Sequence, residues 1–136
     1  MPNERQTVPH TELLDRVRTI ALALPEVGER LSHGVPCFYV RGRRALCYFH
    51  DNHRNDGRVT LWCPAAPSVQ AELVSNDPHR FCAPTPSSSG VFSDWIGVFL
   101  DTTGQDEVDW VEIRLIIADA YCLVAPRSLA AQLSTS

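Results

Sequence analysis

The feature that most constrains the fold is the alternation running from Gly34 to Cys63, GVPCFYVRGRRALCYFHDNHRNDGRVTLWC. Cys37 to Val40, Ala45 to Phe49 and Val59 to Trp62 are β-branched and aromatic, with turn-forming residues between them. Successive side chains of a strand point to opposite faces, so period-two runs broken by glycine turns specify antiparallel hairpins. Arg41-Gly42-Arg43-Arg44 links the first pair, and the polar stretch from Asp51 to Gly57 links the second. Three such strands form a meander with two unlike faces.

The flanks read as helices. Leu13, Leu14, Val17, Ile20, Ala21 and Leu24 recur at helical spacing, opposite Glu12, Asp15, Arg16 and Arg18, so a helix is expected from Thr11 to Leu24. Pro25 ends it, and the polar stretch 26–34 is expected to turn the chain toward the sheet. A short helix is expected over Pro64 to Ser75, started by Pro67 and stopped by Asp77-Pro78. Residues 83–94, rich in Pro, Ser and Gly, read as exposed loop, and Trp95 to Leu100 as a further strand. Asp106 to Leu123 is the strongest helical pattern. Trp110, Ile113, Ile117, Ala120, Tyr121 and Val124 form one stripe, and Asp106, Glu107 and Asp109 suit the start of a helix. A last helix runs from Pro126 to Leu133, and 134–136 is expected to fray. The pattern predicts an α+β fold: an antiparallel β-sheet of at least four strands with helices packed on one face. At 136 residues it fits a single domain, 1–136.

The longest apolar run falls well short of a bilayer-spanning helix, and the first fifteen residues carry charges and prolines where a secretory signal would be apolar. A cytoplasmic location with no membrane partner is expected. Cys37, Cys47, Cys63, Cys82 and Cys122 are widely spaced with no CxxC, which predicts buried, reduced thiols and no zinc site. All twelve basic residues are arginine, a bias that codon usage explains more simply than function. The net charge is −4 with a pI of about 5.7, yet residues 41–58 hold five arginines against two aspartates.

ALALPEV at 21–27, GVPCFYVRGR at 34–43, NDPHRF at 76–81, VFLD at 98–101 and DAYCLVAPRSL at 119–129 occur in that order. In this ordered set the chain is similar to the MmcQ/YjbR family of small bacterial proteins. The resemblance implies a CyaY-like fold and the label of DNA-binding protein that the family carries. Arg43 and Arg127 stand where the family commonly has lysine, which keeps the charge. Frataxin-like relatives of that fold use a carboxylate-rich first helix for iron. Here Arg16 and Arg18 interrupt the acidic ridge, and iron delivery is not expected.

Two binding readings follow from the residues. In the first, a basic hairpin binds DNA weakly and nonspecifically, with Arg41, Arg43, Arg44, Arg54 and Arg58 on phosphates. Charge on strand ends also serves simply to prevent edge pairing. In the second, Tyr39, Trp62, Trp95, Trp110 and Tyr121 line a ligand pocket or a homodimer interface, where such residues are enriched. Large aromatics also build ordinary cores. The chain would be a monomer or a homodimer. His50 and His53 near Asp51 and Asp56 raise a metal at the hairpin tip, but turn chemistry alone accounts for these residue types. No metal and no cofactor is expected. The serine-glycine run 87–90 could hold an anion through backbone donors. GxSxG, P-loop, HExxH and GxGxxG patterns do not occur, so no catalytic residues are assigned and a non-enzymatic protein is expected.

Overall fold

The computed structural model, which describes residues 10–85 and 90–134, sets the expected meander at the centre of a larger sheet. Its strands are β1 (Val27–Ser32), β2 (Val35–Val40), β3 (Arg44–Asp51), β4 (Val59–Cys63), β5 (Phe81–Cys82) and β6 (Ile96–Phe99). They lie in the order β1-β2-β3-β4-β6-β5, every neighbouring pair antiparallel. Helices α1 (His10–Leu22), α2 (Val69–Asn76), α3 (Trp110–Val124) and α4 (Arg127–Ser134) complete the α+β domain. Among the described residues no helix is long and apolar enough to cross a membrane. The serine run 87–89 and the end of the tail at 135–136 lie outside the described residues.

Two strands depart from the sequence expectation. The stretch 26–34 does not merely turn; most of it is β1, paired with β2 from Val27↔Val40 to Ser32↔Val35. Its polar residues hide it because an edge strand is exposed and gains from charge that blocks further pairing. The link to β2 is only His33-Gly34, with φ of 54° and 80°. Positive φ at both central residues matches the right-handed twist of a hairpin, which is why glycine is needed there. β5 has two residues, too few to show a period. The major helix also starts later than expected: residues 104–106 form a separate 3₁₀ turn, and the Asp109 carboxylate accepts the Val111 N–H at 3.0 Å to cap α3.

The helices cover one face. Ile113, Ile117, Ala120, Tyr121 and Val124 of α3, with Leu13, Val17 and Ala21 of α1, pack on Phe38, Val40, Phe49, Val59, Leu61, Cys63 and Val98. Burying each large apolar side chain contributes ~1.5–3 kcal/mol. A register shift after Phe38 lets both Leu46 and Cys47 into this core. Tyr121 is fully buried and donates its hydroxyl to the Pro25 carbonyl at 2.7 Å, fixing α3 against the exit of α1. Cys37, Cys47 and Cys63 are buried and Cys82 half-buried, but Cys122 is exposed, because its position on α3 faces away from the sheet.

Candidate functional site

The same alternation that feeds the core leaves an opposite stripe with no helix over it. Tyr48 on β3 pairs with Trp62 on β4, and His50 and Thr60 are the next pair along. Trp62 in turn faces Gly97 of β6. A Cβ at Gly97 would sit 2.6 Å from the Cys82 sulfur and 3.2 Å from the Cys82 carbonyl, so glycine is what admits β5 to this edge. Phe92 and Trp95 fold over the stripe from the segment before β6, which is held by Gln70 of α2. Its amide donates to the Trp95 carbonyl at 2.6 Å and the Ser93 carbonyl at 3.2 Å.

The loop between β3 and β4 completes the arrangement. The Asn52 carboxamide accepts the Gly57 N–H at 2.7 Å, the Asp56 carboxylate accepts the Arg58 N–H at 2.9 Å, and the Asn52 N–H closes on the Arg58 carbonyl at 2.7 Å. These bonds hold Asn52, Arg54 and Asn55 at positive φ and tuck the His53 ring back under the sheet. His53 lies 4.5 Å from His50 and 5.0 Å from Trp62, centroid to centroid, and His50 lies 4.0 Å from Trp62. Phe92 meets Trp62 and Tyr48 edge-on at 5.1 and 5.6 Å.

Beside these rings is a cleft of about 370 Å³ between the end of the β1–β2 hairpin and the β3–β4 loop. Ligand pockets start at roughly 300 Å³. Val35, Tyr48, Trp62 and Phe92 supply apolar and aromatic surface, His50 and His53 polar edges, and Ser32, His33, Arg54 and Thr85 the remaining lining. Among the described residues no carboxylate lines it. His50 is 7% exposed, and among the described residues neither its Nε2 nor that of His53 has a hydrogen-bond partner. A buried polar atom left unpaired costs ~1–3 kcal/mol. Burial, then the neighbouring His53, lowers the His50 pKa to about 4 against a slight opposing pull from Asp56, so the ring is neutral near pH 7. Burial, then Cys37 and Tyr39, pushes Tyr48 up, and it remains a phenol.

A second cleft of about 360 Å³ between α2 and α3 is walled by Ala65, Val69, Leu73, Ile116 and Leu123, with Asp119 its one ionisable group. It offers apolar contact and no further chemistry.

The five arginines contiguous in sequence are not contiguous in space. Arg41, Arg43 and Arg44 sit at the β2–β3 turn, and Arg54 and Arg58 at the far end of the eight-residue β3, roughly 23 Å away at strand rise. Arg41 is bonded to both carboxylate oxygens of Glu26, at 2.8 and 3.2 Å. Arg58 grips Asp101 at 2.9–3.2 Å and lies 3.8 Å over the Phe99 ring. Arg43, Arg44 and Arg54 are exposed and have no ion pair among the described residues.

Nor do the five aromatics meet. Trp62 and Trp95 belong to the open-face cluster, and Tyr39 lies further along that face with Arg30 stacked 3.7 Å over it. Trp110 is on the helical side under Arg16, and Tyr121 is in the core. The hairpin-tip group splits, with His50 and His53 together and both aspartates engaged elsewhere. Asp51 bonds His10 at 2.8 Å, Asp56 caps its own loop, and among the described residues no three potential ligands converge on a metal position. The sequence does not single out Tyr48 or Phe92, and points to His50 and His53 at the hairpin tip rather than as part of an aromatic cleft. The signal for Tyr48 and His50 was their period-two spacing with Trp62 opposite. Phe92 had none, since a loop residue's neighbours are set by the fold.

The model of the family described as YjbR matches residues 22–123. Among solved structures the chain is similar to a Deinococcus radiodurans protein with a DUF419 domain. The identity is 17% and the TM-score 0.64, over 89% of this chain and 87% of that one. At this identity the likeness establishes shared fold and no more. No curated protein matches.

Proposed function

The chain belongs to the YjbR family, and from that premise we propose that it is a non-enzymatic binding module whose site is the cleft on the open face of the sheet. The observation that carries this reading is His50: a buried imidazole with an unpaired Nε2, held against Trp62 at the side of an aromatic-walled cleft. Folded proteins rarely leave such groups unsatisfied, and sites for ligands are where the exceptions gather. The neutral ring can donate or accept a hydrogen bond according to tautomer.

Protein-observed NMR with a library of small aromatic compounds tests this. Compounds that bind should perturb the resonances of His50, His53 and Trp62 and lose binding in Ser32→Trp, which fills the cleft from the exposed hairpin end. If no compound perturbs those signals, or if hits survive the blocking substitution, the reading is wrong.

Weak DNA binding through the basic hairpin is the second reading, supported by Arg43, Arg44 and Arg54, which are exposed and without an ion pair among the described residues. It ranks lower because Arg41 and Arg58 are engaged by carboxylates and the two turns are a strand length apart. A gel shift over a salt series separates the readings. Phosphate binding weakens steeply with salt, and each contacting arginine removed lowers the log–log slope by about one.

A further inference from the structure

We propose that the ligand of the open-face cleft is a small planar aromatic anion, a flat ring system carrying one carboxylate or phosphate group. This rests on the cleft being the binding site, and adds what it selects.

The walls decide the ring. Tyr48, Trp62 and Phe92 present faces and edges in different orientations, Tyr48 and Phe92 at 86° and Trp62 and Phe92 at 68°. A flat π-system entering beside them finds both offset-stacked and edge-on partners. His50 and His53 add unpaired polar nitrogens on the same side. Both Nε2 atoms are closed off in the fold as it stands, and His53, half-buried and carried on the loop, is the one of the two rings able to move aside for a ring nitrogen or hydroxyl of the ligand.

The rim decides the charge. In a chain of net charge −4, a cleft with no acidic residue among its described lining differs from three other clefts, each of which has at least one. Arg54 stands at its mouth, exposed and with no carboxylate partner among the described residues, whereas Arg41 and Arg58 nearby in sequence are both neutralised. It is held there at φ 54°, a conformation that a non-glycine residue adopts only when its surroundings impose it. A guanidinium so placed offers a planar fork to carboxylate or phosphate oxygens. His33 and Ser32, bonded to each other at 3.4 Å, also line the cleft and leave the His33 Nε2 for a further contact.

The experiment uses the full chain and four probes: indole-3-acetate, its neutral isostere indole-3-acetamide, adenosine monophosphate and inorganic phosphate. Affinities come from NMR titration of the Trp62 indole and His50 imidazole signals. Indole-3-acetate or the nucleotide should bind at least tenfold more tightly than the amide or phosphate alone, and Arg54→Gln should remove that advantage. Equal binding of acid and amide, or an advantage that survives Arg54→Gln, overturns the anion assignment and leaves the cleft reading standing. Binding of phosphate alone as tight as the aromatic anions overturns the aromatic part. Silence of the cleft signals toward all four probes, with the aromatic library also silent, overturns both readings.

Discussion

The two faces of the sheet come from the same strands, one residue out of phase, and are built to different standards. On the helical face Phe38, Leu61, Ile117 and their neighbours are wholly buried, and Tyr121 sends its hydroxyl to a carbonyl. On the open face the burial is done by a loop and by rings packing on rings, and two imidazole nitrogens are closed off without partners. Covering by helices gives a wholly buried centre and, between α2 and α3, an apolar cleft with Asp119 as its ionisable group. Covering by a loop leaves a cleft and unspent hydrogen-bonding capacity, which is where a ligand can add something the fold has not already used.

The contrast is open to attack at three points. Ile117→Ala, on the helical face, should lower stability most, by about 2–5 kcal/mol, because α3 cannot collapse into the space left. Urea denaturation with an unchanged slope would measure it, and a loss below about 1 kcal/mol would remove the distinction between the faces.

Next comes acid sensitivity of the open face. His50 has its pKa lowered from 6.5 to about 4 in the folded chain, so the unfolded chain takes up the proton first as pH falls. Its contribution is therefore complete above pH 6.5 and declines toward pH 4, by about 3 kcal/mol at ~1.4 kcal/mol per pH unit. Carboxylates titrate in part of this range, so the comparison is with His50→Phe measured across the same pH values. The variant should lose most of the slope between pH 6.5 and 4.5. Parallel curves for parent and variant would show that the imidazole is not held neutral by burial.

The smallest effect is expected from Phe92→Ala. It removes edge-on contacts to Trp62, Tyr48 and Trp95 at 5.1, 5.6 and 4.9 Å, but from a half-buried loop residue. About 1–2 kcal/mol should be lost, with a red shift in tryptophan emission as the cleft opens to water. A cost equal to that of Ile117→Ala would mean that the open face is packed like the core, and the cleft would lose its standing as a site.

The sequence by itself determined the meander, the major helix and the side of the sheet the helices take, since these follow from period two in residues 37–62 and period 3.6 in residues 110–124. It also carried enough ordered motifs to place the chain in its family. It could not reveal β1, whose exposed edge needs no apolar alternation, or β5, which exists because Gly97 leaves room beside β6. Above all, tertiary structure decided which charged and aromatic residues act together. Arg41 and Arg54 lie thirteen positions apart in the chain yet at opposite ends of β3, while Ser32, Trp62 and Phe92 surround one cleft. Periodicity fixes which face a side chain takes. Its partners there depend on strand order and on where loops close, and those are set by contacts between residues far apart in the chain.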